Sequence, residues 1–305
     1  MAAAPRRPRY EAFVSHSSAD RRAAAKVEQA LQTAGLETWL DRSDIRVGTL
    51  LRDELHASLK SSRVVVLLWS KAAAASRWVA AELLTAFHEK RFIVPCVLDG
   101  TRLPYFLENA IFLGVRPGGR HALSGIVEAV RKAPSGANQV PPFRDSPGAD
   151  LVAAIHRLDE GQRRVTDALG RRDLAAGRRA QAALDPAQRT AEKTWPLDAT
   201  VLSLAGYHRK NAYMLRHWDA IAAGQPPKDP LLVRAERRFF DTLFVNPVDF
   251  NALNGFGSVL LYERDFEAAL FFVQRALHHA RRAGVAYPDA EHDLQLLRWL
   301  KSGRR

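Results

Sequence analysis

The chain has 305 residues, of which 47% are hydrophobic, enough to build two globular domains with ordinary cores. No run approaches the roughly 20 apolar residues of a membrane-spanning helix, and the amino terminus M-A-A-A-P-R-R-P-R lacks the apolar core of a secretory signal, so a cytoplasmic protein with no membrane partner is expected. The net charge of +12 is spread along the chain, +7 over residues 1–134 (20 Lys+Arg against 13 Asp+Glu) and +5 over 135–305 (25 against 20), and without a basic tail or dense cluster it does not predict nucleic acid as a direct partner.

From the amino end, strand patterns read at Tyr10–Ser15, Leu36–Leu40, Val64–Trp69, Phe92–Leu98 and Ile111–Val115. Helical patterns lie between and after them at about Ala19–Ala34, Thr49–Ser61, Ser76–Lys90, Leu103–Asn109 and His121–Lys132. Short connections between alternating strands and helices imply right-handed crossovers, so residues 1–133 are expected to form a flavodoxin-like α/β domain with a parallel five-stranded sheet. Cys96, the single cysteine, falls inside the fourth strand; it excludes an internal disulfide and a cysteine zinc cage, and reads as a small buried hydrophobe.

Residues 134–149, rich in Pro, Gly and Ser and without periodicity, read as a linker. Everything after them reads helical, so 150–305 is expected to be all-α. Leu151, Ile155, Leu158, Val165 and Leu169 fall at heptad-like spacings that either pack on the downstream helices, the commoner outcome for so few heptads, or seed self-association. In Phe250–His279 the small residues Gly257, Ala269 and Ala276 alternate with Leu253, Phe256, Leu260, Phe266 and Leu270, a pattern that lets two antiparallel helices approach closely and resembles a tetratricopeptide repeat. The repeat's terminal proline is replaced by Arg281, and the upstream partner around Leu202, Gly206, Tyr213 and Pro230–Phe244 is degenerate. Leu294, Leu297 and Leu300 mark a capping helix.

In a parallel sheet the ligand crevice lies at the carboxyl ends of the strands, here the loops Ser15–Ala19, Asp41–Gly48 and Ser70–Ser76. Ser17 and Asp20 have capping-box spacing, whereas Ser15, His16 and Asp20 have no triad geometry because neighbouring strand residues face opposite sides. In S-R-W-V-A-A-E, Trp78 and Glu82 are four residues apart and share one helical face. Two readings stand: a core tryptophan with a solvated glutamate, or a flat ring surface beside a carboxylate directed at the crevice. Such a carboxylate could stabilise a ribosyl oxocarbenium ion; because nicotinamide leaves NAD as a neutral base, one carboxylate would suffice there. A nucleotide hydrolase or metalloenzyme is not expected, since the chain has no G-x-x-x-x-G-K motif and His278-His279 point to different faces of a helix.

The blocks Y-E-A-F-V-S-H-S-S-A-D (Tyr10–Asp20), G-L-E-T-W-L-D-R-S-D-I-R-V-G (Gly35–Gly48), the third strand with S-R-W-V-A-A-E, and F-I-V-P-C-V-L-D-G (Phe92–Gly100) together resemble a bacterial-type Toll/interleukin-1 receptor (TIR) domain over about residues 8–133. The resemblance implies an NAD+ hydrolase with Glu82 as the catalytic glutamate and no required cofactor, NAD+ being the substrate. It places Trp78, Ser15, His16, Asp41, Arg42 and Asp44 around that substrate, with Asp41–Gly48 as a gating and self-association loop. Val79 stands where the family often has cysteine, a change that leaves the carboxylate untouched, and Arg46-Val47 replace the loop's common proline, so the family's loop conformation and mode of association do not carry over by the motif. ADP-ribose or a cyclic isomer would be the product. The family setting further implies an anti-phage or stress effector activated by self-association, with a protein partner or trigger acting through the helical domain. The alternative is a non-enzymatic adaptor using the same loop.

Overall fold

The computed structural model describes residues 10–40, 57–108, 113–114, 120–138 and 148–302. The chain divides into two compact units, Met1–Pro142 and Phe143–Arg305, and the division falls inside the Pro/Gly/Ser-rich stretch 134–149.

The first unit is a five-stranded sheet of order β2-β1-β3-β4-β5, every pair parallel: β1 Tyr10–Ser15, β2 Thr38–Leu40, β3 Ser62–Trp69, β4 Phe92–Val97 and β5 Leu113–Gly114. A strand covered on both faces has no polar alternation, which is why β3 reads as a continuous apolar run. One face of the sheet, with Val14, Val66 and Cys96, packs under Val27 and Leu31 of α1 (Arg21–Thr33) and Ile126 and Val130 of α4 (Arg120–Lys132). Cys96 is fully buried there, and burial pushes its thiol up to about 12, so it is chemically quiet packing.

Strand β2 begins two residues later than its pattern suggests. Gly35, at φ 75°, closes α1 with its N–H on the Gln32 carbonyl, and Leu36 N–H returns to Leu31 O, so the turn consumes the start of the apolar stretch. A short helix that the sequence reading missed, α2 (Lys71–Ala75), precedes α3 (Arg77–His88). Ser70 caps α2 by accepting from Ala73 N–H, and Ser76 caps α3 by accepting from Val79 N–H. The segment expected as a helix at Leu103–Asn109 contains a 3₁₀ turn, Tyr105–Leu107. At the amino end of the sheet, Arg63 pairs with Glu11 and donates to the Val130 and Ala133 carbonyls that end α4. Asn138 exchanges two hydrogen bonds with the backbone of Ile93, which fastens the beginning of the 134–149 stretch to β4.

The second unit contains, among the described residues, α5 (Ala149–Gly170), α6 (Leu174–Thr194), α7 (Ala199–Ala222), α8 (Pro230–Val245), α9 (Phe250–Tyr262), α10 (Phe266–Arg282) and α11 (Pro288–Lys301). The heptad-spaced residues of α5 pack within the chain: Leu158 meets Leu184 and Val201, and Val165 and Leu169 meet Leu215. Between α9 and α10, a Cβ at Gly257 would stand 2.7 Å from Val273 Cγ2 and 3.3 Å from the Ala269 carbonyl, so the small-residue pattern does set a close helix approach. Phe239 of α8 is wedged between Gly206 of α7 and Gly255 of α9, and a Cβ at either glycine would collide with its ring. Leu297 of α11 is fully buried, as expected of a helix that closes the end of the unit.

Candidate active site

In the order β2-β1-β3-β4-β5, the chain moves outward in opposite directions from β1 and β3, so the crevice between their carboxyl ends is the topological switch point. Ser15 ends β1, while β3 delivers Ser70 and the two capped helices that follow. Helix α3 is apolar nearly all round, with Val79, Leu83, Leu84 and Ala86 buried, and Glu82 is carried into that environment at 3% exposure. The reading of Glu82 as a solvated helix residue is therefore overturned. Ser15 Oγ donates to Glu82 Oε2 at 2.6 Å, joining the end of β1 to the second turn of α3. The hydroxyl gives one oxygen of this buried carboxyl group a hydrogen-bond partner, which offsets part of the cost of burying it.

Trp78 lies one turn before Glu82 and is half-buried. His16 is buried, with Nδ1 3.4 Å from the Val14 carbonyl. Ser15, His16 and Asp20 do not form a triad, because Ser15 is engaged by Glu82 and Asp20 by other hydroxyls. The capping-box reading of Ser17 and Asp20 is corrected: Ser17 Oγ donates to the Asp20 carboxylate, and no side-chain cap bond reaches the backbone there. Ser70 Oγ also donates to Asp20 Oδ2, at 2.6 Å, while accepting from Ala73 N–H. Asp20 thus ties the loop after β1 to the loop after β3, a link that sequence reasoning missed because the two partners are 50 residues apart.

A third carboxylate lies at the same edge. Asp99 accepts from Lys71 N–H at 2.9 Å and from the Thr101 hydroxyl at 2.6 Å, and these bonds, the backbone one first, hold its carboxyl below the usual range. Trp69 donates its indole N–H to the Arg102 carbonyl, which fixes the adjoining turn. Glu82, Trp78, Ser15 and His16 are therefore all placed near the carboxyl edge; Asp41, Arg42 and Asp44, with the rest of the expected gating loop, lie outside the described residues. Among the described residues no group of three or more His, Cys, Asp or Glu side chains is arranged to hold a metal.

A family model described as TIR domain matches residues 12–122. A protein of Methanobrevibacter olleyae named "Probable 2' cyclic ADP-D-ribose synthase TcpO" is 30% identical over 96 residues, which cover 30% of this chain and 28% of that protein, so the match spans under a third of the relative's length. Among solved structures, the TIR domain of the Toll-related receptor TRR-2 from Hydra magnipapillata is similar at 15% identity and a TM-score of 0.36, over 40% of this chain and 99% of that one. A metazoan TIR-STING receptor from C. gigas, solved in complex with 2',3'-cGAMP, is similar at 23% identity and a TM-score of 0.38, over 43% of this chain and 42% of that one.

Proposed function

With a TIR domain at residues 12–122 as the premise, we propose that this chain cleaves NAD+ between nicotinamide and ribose, with Glu82 as its catalytic carboxylate. The observation that carries the reading is the buried Ser15–Glu82 pair at the switch point of the sheet. As the C1'–N bond breaks, its electron pair moves to the pyridinium nitrogen, nicotinamide departs neutral and positive charge develops at C1'. A fixed, desolvated carboxylate stabilises that charge more than it stabilises the ground state, which is the condition for acceleration. Ser15 positions the carboxylate, and the Trp78 ring is proposed to stack against the departing base. Water then attacks C1' and loses a proton to give ADP-ribose, or a hydroxyl of the same molecule attacks and a cyclic isomer forms. The name of the Methanobrevibacter olleyae relative favours looking for the cyclic product.

His16, Asp41, Arg42 and Asp44 complete the proposed substrate site. The loop containing the last three is proposed to be ordered by a neighbouring copy, so that self-association raises activity. The helical unit, with its tetratricopeptide-like pair α9–α10, is proposed to receive the trigger, and NAD+ depletion would then serve an anti-phage or stress response. The test is to incubate the purified full-length chain with NAD+ over a range of protein concentrations and identify products by mass spectrometry. Release of nicotinamide with a specific activity that rises with concentration is expected. Absence of turnover in a demonstrably self-associated sample would favour an adaptor module instead.

A further inference from the structure

Helices α10 and α11 frame a groove of about 490 Å³ that lies within the helical unit and has no part in the chemistry of Glu82. Its floor is Leu277 and Leu294, and Gln274, His278, Arg281 and Arg282 of α10 and Arg298 of α11 surround it. Helical periodicity explains the assembly. Positions 274, 278 and 281 recur on one face of α10, and 294 and 298 on one face of α11, so the polar side chains converge over the leucines. The basic residues are not a dense cluster in the sequence; they become one only when the two helices pack.

Some arginines of this unit pair with carboxylates, Arg209 and Arg238 with Glu192 and Arg216 with Asp229, and others, such as Arg178, donate to backbone carbonyls. Arg281, Arg282 and Arg298 are exposed, and among the described residues none of the three is in an ion pair. Burial first, and then the charges of His278, Arg282 and Arg275, hold His279 down at about 4. Forked guanidinium groups around an apolar floor match a ligand with phosphate oxygens at one end and a flat ring at the other. The volume lies within the roughly 300–1,000 Å³ of small-molecule sites.

We propose that this groove binds a phosphate-bearing nucleotide, with Arg281, Arg282 and Arg298 on the phosphates and the base over Leu277 and Leu294. The proposal does not depend on catalysis at Glu82. A short open groove between two helices favours a nucleotide over a nucleic-acid strand, which needs an extended basic track and stacking platforms.

The test is calorimetric titration of the full chain with ADP, beside adenosine and a single-stranded oligothymidylate. ADP should bind, adenosine should bind roughly tenfold more weakly or worse, and Arg281→Gln/Arg298→Gln should lower ADP affinity by roughly tenfold or more at unchanged circular dichroism. Should the double variant misfold, Arg298→Gln alone is expected to show a smaller loss of the same sign. Equal ADP affinity in the folded variants overturns the proposal, because binding would then lie elsewhere, including at the TIR site. Adenosine binding as well as ADP, no ADP binding, or binding of the oligonucleotide alone overturns it too.

Discussion

The carboxyl edge of the sheet and the interior of the helical unit bury side chains in different ways, although the helical unit also holds buried polar groups such as Glu236 and the Gln162–Asn211 pair. At the sheet edge the buried groups are polar: Ser15, His16, Ser17, Ser70 and Glu82 are all at or below 4% exposure. Inside the helical unit the tightest contacts are ring against backbone, as where Phe239 fills the space that Gly206 and Gly255 leave open. Burying a carboxylate and hydroxyls opposes folding unless each finds a partner, whereas burying a phenylalanine against glycines favours it. The polar atoms gathered at the strand ends mark the edge as a place organised for chemistry, while the glycine–phenylalanine contacts set the shape of the helical unit.

That contrast breaks most visibly at Gly255. Gly255→Ala should destabilise the protein by about 2 kcal/mol, even though alanine favours a helix by about 1 kcal/mol, because the methyl group overlaps the Phe239 ring. Thermal unfolding would register the loss, and adding Phe239→Leu should recover part of it in a double-mutant cycle. A Gly255→Ala protein as stable as the parent would mean the contact is soft. Next in size is Ser15→Ala, which removes the donor to Glu82 and should lower NAD+ turnover roughly tenfold while leaving the melting temperature nearly unchanged. The reverse pattern, lost stability with intact turnover, would make the pair structural.

The smallest effect concerns Asp229, which caps α8 by accepting from Leu231 N–H. The His217 ring first, then the Leu231 N–H and Arg216, hold its carboxyl at about 2, below the ordinary 3.8. A depressed carboxylate contributes stability that is fully present above its unfolded value and is lost as pH falls through its folded value, so this contribution should disappear between about pH 4 and about pH 2. Asp229→Asn keeps an oxygen for the cap but not the charge, and its melting temperature should fall less steeply than the parent's across that window. Parallel slopes would show that the pairing contributes little.

The strands were legible because a doubly covered sheet leaves uninterrupted apolar runs, and Tyr10–Ser15 was read to the residue. Glu82 was legible as a candidate through its spacing from Trp78, yet its burial was not, since one glutamate in an apolar helix reads the same whether it faces water or a strand end. The bonds Ser15–Glu82 and Ser70–Asp20 join residues 67 and 50 positions apart, and local patterns carry no information at that range. Ser17 misled for the complementary reason: the spacing of a capping box was present, but a carboxylate three residues on captured the hydroxyl before the backbone did. In the helical unit the small residues announced close approach at Gly257, whereas Phe239 gave no sign that two glycines on different helices would receive its ring.

The central claim is that the buried carboxylate of Glu82 performs the chemistry, and one measurement addresses it directly. Glu82→Gln preserves size and most packing while removing the charge, so nicotinamide release by the self-associated protein should fall by roughly two to three orders of magnitude with folding little changed. A folded Glu82→Gln protein that consumes NAD+ at the parent rate, under conditions in which the parent is active, would contradict the account.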